Sequence, residues 1–223
     1  MTQQRIQGML WLLLAFCLVG VLTLAVDLLY VYWPYPHGAR GIKALQANLH
    51  TETAWIERLA DTRSQEVIGG ISDTLYKVLF GWTGLDEMMR RAADPRPLSP
   101  LNEIMRSFMT GMWGFLQTAK IGLQLYSQRL GVLVLALPLM LVVALAAGAD
   151  GLMTWYLRRS AAEPESGFIY HRAKRGLVFA VMTLWIIYLV PPVPLDPRWV
   201  MGPFLLVAGL SIRIAVANFK KYL

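Results

Sequence analysis

The sequence predicts an all-α integral membrane protein with four transmembrane helices and a helical extracytoplasmic insertion between the first and second spans. Three observations predict it. The 223 residues are 56% hydrophobic and only 16% charged, outside the usual range for a soluble domain. The apolar residues gather into long uncharged runs, close to the ~20 residues that a helix needs to cross a ~30 Å hydrocarbon core. The polar remainder shows helical periodicity and no convincing strand alternation.

Met9 to Val26 is an 18-residue uncharged run, Gly131 to Ala149 has 19 such residues and Gly176 to Leu195 has 20. The fourth predicted span, Trp199 to Phe219, is interrupted only by Arg213. That residue is near enough to the C-terminal end for its charged tip to reach the lipid headgroups. The first run follows Arg5, but it exceeds the roughly 7–15 apolar residues of a signal peptide and no A-x-A site follows, so it is expected to remain as an anchor. Tyr30, Tyr32, Trp33 and Tyr35 after it are the amphipathic aromatics of a membrane interface. Asp27, just inside that interface, is expected to reach the headgroups or bond within the bundle; its other reading is a role in ion or proton passage. Cys17 is the single cysteine, which excludes an intrachain disulfide or a cysteine metal cluster and leaves an apolar packing residue.

Basic residues set the expected orientation. Arg5 precedes span one; Arg158, Arg159, Arg172, Lys174 and Arg175 lie between spans two and three; Arg213, Lys220 and Lys221 lie at the C-terminus; the connection between spans three and four has only Arg198. The positive-inside rule then places both termini and the second connection in the cytoplasm, and the region after span one on the far side, which is the periplasm if the membrane is the inner one of a Gram-negative bacterium. The expected organisation is an N-terminal tip and first span at 1–33, a periplasmic helical region at 34–130, the second span at 131–149, a basic cytoplasmic connection at 150–175, and the last two spans at 176–223. The 34–130 region has eleven basic and nine acidic residues, and long segments translocate largely regardless of charge.

Within that region, Ile42, Leu45, Leu49, Ile56 and Leu59 fall near helical spacing, while Lys43, Glu52, Glu57 and Arg58 mostly take other faces. A second helix is expected after the Gly69-Gly70 pair, through Ile71, Leu75, Val78, Leu79 and Trp82. The prolines of "DPRPLSP" then break the pattern. Ser99 as N-cap and Pro100 at the first position would start a single long helix running to about Arg159, with Pro138 able to bend it.

No catalytic constellation stands out. His37, His50 and His171 form no HExxH or HxxxH pair, and there is no Gly-x-Ser-x-Gly elbow or phosphate loop, so no enzymatic activity, metal or cofactor is expected. Met105, Met109 and Met112 share one helical face. A thioether stripe is compatible with Cu(I) binding, and more simply with filling an irregular helix interface. Gly148, Gly151, Gly202 and Gly209 are expected to permit close helix approach.

The basic connection serves as a topogenic anchor, a docking handle for a cytoplasmic protein, or, least in keeping with its small charge, a nucleic-acid contact. His171, Lys174 and Arg175 share one face by i, i+3, i+4 spacing. The string "DGLMTWYLRRSAAEPESGFIYHRAKR", Asp150 to Arg175, covers 26 of the 223 residues. It resembles the most recognisable segment of the integrating conjugative element membrane proteins, a family related to plasmid-encoded transfer proteins. The resemblance implies membership of a conjugative DNA-transfer apparatus, a type IV secretion-like system, encoded near a coupling ATPase, and it implies no catalytic residues.

The resulting expectation is a non-enzymatic inner-membrane scaffold or partner of the coupling ATPase or channel. Arg158, Arg159, Tyr170, His171, Arg172, Lys174 and Arg175 would form the cytoplasmic docking surface. Trp55, Trp82 and the Met105, Met109 and Met112 face would meet channel proteins or a second copy, with lipid around the spans. The alternatives are a small transporter or channel using Asp27, Arg213 or the methionine face, and an exclusion protein of the mobile element.

Overall fold

The chain folds wherever its apolar residues can be wound into helix. The computed structural model describes residues 3–34, 38–93, 100–161 and 167–219, and these are helical, with no strand among them. The expected cap at Ser99, and also Tyr35, His37, Lys220 and Lys221, lie outside the described residues. Two units are distinguished, one comprising Met1–Val132 with Leu189–Pro194, the other Leu133–Tyr188 with Leu195–Leu223.

In the first unit, α1 (Gln3–Tyr32) is apolar on all sides, as a membrane helix should be. Helix α2 (Ile42–Leu59) starts after Gly41, whose φ of 76° places it in the left-handed region that glycine enters without strain. The Gly41 amide donates to the Val31 carbonyl at 3.1 Å, so the turn is pinned back onto α1. Val31, Leu45, Ile121 and Leu125 then form a buried cluster in which Leu45 is fully enclosed. Burying a leucine of this kind contributes about 1.5–3 kcal/mol.

Helix α3 (Thr62–Tyr76) is capped by Asp61, whose carboxylate accepts from the Ser64 amide at 3.3 Å. It continues through Gly69 and Gly70, which therefore do not delimit a new helix as expected. The chain instead changes pitch at Lys77–Gly81, a π-helical turn in which the Trp82 amide donates to the Lys77 carbonyl at 2.8 Å. Gly84, at φ 73°, turns the chain into α4 (Leu85–Ala93). Asp86 and Glu87 occupy the first turn of α4 and Arg90 and Arg91 the last, as its dipole favours.

The single long helix expected from Pro100 is interrupted. Helix α5 (Pro100–Gly111) and α6 (Trp113–Ser160) are separated at Met112. The break follows Thr110 and Gly111: the Thr110 hydroxyl back-bonds to the carbonyls of Arg106 and Ser107, both at 2.9 Å, and glycine resists helix through its extra backbone freedom. Helix α6 then runs unbroken for 48 residues, continuing through Pro138. At ~1.5 Å per residue it is about 72 Å long, more than twice the thickness of a hydrocarbon core.

In the second unit lie the remainder of α6, α7 (Gly167–Leu189) and α8 (Pro197–Ala217). Asp196 caps α8 by accepting from the Arg198 amide at 3.0 Å, and Pro197 follows at the first helical position. Of the small residues expected to bring helices together, Gly151 and Gly209 do so. A Cβ on Gly151 would lie 2.8 Å from the Arg213 carbonyl oxygen and 2.8 Å from Val216, and one on Gly209 would lie 3.2 Å from Val143. Gly148 and Gly202 face open space.

Among the described residues, three helices are long and apolar enough to cross a membrane: Leu14–Tyr32, Trp113–Ser160 and Pro197–Ala217. The expected run from Gly176 to Leu195 is not one helix. Helix α7 stops at Leu189 because Pro191 and Pro192 follow, so any 18-residue window within it takes in Arg172, Lys174 and Arg175. The four predicted spans are three by this measure, which suffices for membrane association.

Candidate functional site

The residues expected to dock a partner are spread over both units and differ in what they touch. In the second unit, His171, Arg172, Lys174 and Arg175 are exposed along α7. Their alkyl and ring portions are packed locally: Arg172 lies over the Phe168 ring at 5.7 Å, and the Arg175 Nε donates to the His171 carbonyl at 3.4 Å. Tyr170 is half-buried, edge-on to both His171 and Phe219. Arg159 is exposed with its guanidinium 5.2 Å from the Trp155 ring centroid. Arg158 is half-buried and donates to the Asn218 side chain at 2.9 Å, which ties the end of α6 to the end of α8. Arg213 meets the Asp150 carboxylate instead of extending alone to the headgroups. Residues 162–166, which include Glu163 and Glu165, lie outside the described residues.

In the first unit, Trp82 is 83% exposed. Trp55 is half-buried. Two of the three methionines, Met109 and Met112, turn inward. Met109 is buried with Phe80, Met89 and Leu116, and Met112 packs against the same cluster, so these two fill an interface within the chain and are not offered to a partner. An unbranched thioether suits this place, beside the irregular π turn. The side chain of Met105 lies outside the described ones.

The most constrained polar site was not anticipated. Arg129 on α6 and Glu52 on α2 are both buried and form an ion pair, with Nη2 2.5 Å and Nε 3.0 Å from the carboxylate oxygens. The guanidinium also donates to three carbonyls of a proline-rich segment: Pro191 at 2.6 Å, Val193 at 2.7 Å and Leu189 at 3.4 Å. Five donors in a rigid fork thus find five directions of acceptance, which a lysine could not supply. Asn48, one turn before Glu52, takes the intervening Pro192 carbonyl at 2.5 Å. The two preceding residues of α6 are engaged as well: Gln128 donates to Thr53 at 3.1 Å and Ser127 to Ser72 at 2.8 Å. This arrangement holds α2, α3, α6 and residues 189–194 together.

The first unit buries a further acidic residue. Asp27 on α1 is 1% exposed, packs on Gly122 of α6, and has no hydrogen-bond partner on either carboxylate oxygen among the described residues. Thr23, one turn away, satisfies itself by donating to the Val19 carbonyl at 2.9 Å. Among the described residues, no three His, Cys, Asp or Glu side chains converge as a metal-ligand set.

These features define an all-helical, membrane-associated protein organised around a buried polar network, with a basic face left exposed on α7. The family is fixed by comparison with known proteins. Residues 38–220 match the family described as IncC plasmid conjugative DNA transfer protein DtrJ-like, and the chain belongs to this DtrJ-like family. It is thereby involved in conjugative DNA transfer, which is the broader part of what the resemblance at Asp150 to Arg175 implied. No curated protein and no solved structure matches the chain.

Proposed function

We propose that the chain is a non-enzymatic inner-membrane component of a type IV secretion-like conjugation apparatus, which docks the coupling ATPase or a channel subunit through the basic face of α7. The observation that carries this reading is the exposure of His171, Arg172, Lys174 and Arg175 in a protein of a conjugative DNA-transfer family. Surface charges of this kind steer association and set partner choice. Arg159 extends the basic face, while Arg158 and Tyr170 hold its base. With α7 counted as a fourth crossing, its basic residues reach the headgroup level by snorkelling and both termini are cytoplasmic. Residues 34–130 are then periplasmic, and Trp82 is the anchor they present to channel proteins or to a second copy.

The test replaces Arg172, Lys174 and Arg175 by glutamine while Arg158 and Arg159 keep the positive side of the membrane defined. Mating frequency and co-purification with the coupling ATPase should both fall at least tenfold, with membrane insertion unchanged. Wild-type values for both would refute docking by this face.

One observation favours a second reading, a small transporter or channel. Asp27 is an acid buried within a membrane-length helix with no hydrogen-bond donor among the described residues, and buried intramembrane acids mark ion and proton paths. It predicts flux through the purified protein in liposomes that Asp27→Asn abolishes; flux equal to that of protein-free vesicles removes it.

A further inference from the structure

The second unit contains an apolar groove of about 480 Å³, lined by Leu152 and Trp155 of α6, Leu177 of α7, and Ile212, Ala215 and Phe219 at the end of α8. Its size falls in the ~300–1,000 Å³ range of small-molecule sites. We propose that it holds an acyl chain of an anionic phospholipid whose phosphate is met by Arg158 and Arg159.

Four features of the groove select this occupant. Its walls are almost wholly apolar, so an inserted peptide would leave its amides and carbonyls unmatched, whereas a hydrocarbon chain brings no such groups. Two of the three helices forming it, α6 and α8, are long and apolar enough to cross a membrane, so lipid is available to this unit. Its walls are fixed: the Trp155 indole donates to the Phe219 carbonyl at 3.0 Å and Tyr170 packs edge-on to Phe219, so neither large ring is free to swing in and fill the space. Its rim is cationic. Arg159 lies over Trp155, and Arg158 is bonded to Asn218 beside Phe219.

The groove adjoins a close helix contact. A Cβ on Gly151 would strike the Arg213 carbonyl oxygen and Val216, and one on Gly176 would lie 3.5 Å from the Ser211 hydroxyl. Ala215, between Arg213 and Val216, is a small residue in the groove wall. A space of this size is costly to leave unfilled, since its lining loses dispersion contacts on one side.

This proposal does not depend on any docking partner, and it is tested without one. The full-length protein, purified and delipidated in detergent, is titrated with dioleoyl phosphatidylglycerol or dioleoyl phosphatidylcholine, and the lipid-bound fraction is read by native mass spectrometry. The anionic lipid should bind about thirtyfold more tightly, as two basic residues at a headgroup imply. Replacing both Arg158 and Arg159 by glutamine should bring it to the level of phosphatidylcholine. Ala215→Phe, which fills the groove, should weaken both lipids, and Leu177→Trp does so from the opposite wall if the first variant misfolds. Leu206→Phe, on an exposed part of α8 outside the groove, should change neither. Equal binding of the two lipids, or binding untouched by both filling variants, overturns the proposal. So does a dimer that Ala215→Phe dissociates, which would make the occupant a second copy.

Discussion

Arg129 and Glu52 are separated by 77 residues in sequence and meet in the interior as a bidentate ion pair with side chains 1% and 4% exposed. Two buried charges are tolerated here because every remaining donor of the guanidinium also has an acceptor, the condition under which a buried pair can recover its desolvation cost. Removing either partner alone, by Glu52→Leu or Arg129→Met, should destabilise the protein by about 3–5 kcal/mol, since the survivor is left charged in the interior. Exchanging the charges, Glu52→Arg with Arg129→Glu, should fail to restore stability, because the carbonyls of Leu189, Pro191 and Val193 would then face a carboxylate. Thermal unfolding in detergent of the single and double variants separates these cases, and full rescue by the exchange would contradict the role given to the carbonyls.

Gly122 leaves room for the Asp27 carboxylate, which a Cβ at that position would strike. Gly122→Ala should therefore lower the unfolding temperature, and Gly122→Ala combined with Asp27→Ala should recover most of the loss. Asp27→Asn alone should stabilise, because a buried carboxylate without a donor is replaced by a neutral amide. Additive effects of the two alanine substitutions would show that the side chains do not meet.

Gly69 and Gly70 lie in the interior of α3, are exposed, and would meet nothing within 4 Å on gaining a Cβ. Each Gly→Ala substitution should stabilise by up to ~1 kcal/mol through helix propensity alone. Unfolding curves in detergent should shift upward for both; a downward shift would mean that the helix needs a glycine for a reason other than space.

Gly151 shows the opposite case. An added Cβ would press on the Arg213 carbonyl, which is backbone and cannot rotate away. Gly151→Ala should separate α6 from α8 and expose the Trp155 indole. The readouts are a red shift in tryptophan emission relative to the same change in a Trp155→Phe background, and faster proteolysis after Arg158.

The helices were legible because the apolar runs and the 3.6-residue period do not depend on tertiary context. So was the cluster around Leu45, which follows from its spacing with Leu49. What was missed depended on distant partners. Glu52 falls on the same stripe as Leu45, Leu49 and Ile56, and a charge on an apolar stripe was the available sign that it is buried; the neighbouring Lys43, Glu57 and Arg58 disguised it as part of a polar face. Arg129, just before a long uncharged run, reads as an interfacial anchor until the proline-rich segment is seen to need donors. The methionine face was legible as the filling of an irregular helix interface, but for Met109 and Met112 the other side of that interface is this chain and not a partner, because periodicity identifies a face without saying what covers it. The end of α7 turned on Pro191 and Pro192, which shorten a hydropathic run that composition alone carries to Leu195.

The carbonyls that satisfy Arg129 come from residues up to 64 positions later in the chain. At a translation rate of ~5–20 residues per second, roughly 3–13 s pass between the synthesis of the arginine and that of Val193. Glu52 is already made during that interval, but the acceptors that complete the guanidinium are not. The nascent chain therefore carries an incompletely matched cation at the threshold of its long apolar helix, and the arrival of one short proline-rich stretch decides when the first unit can close.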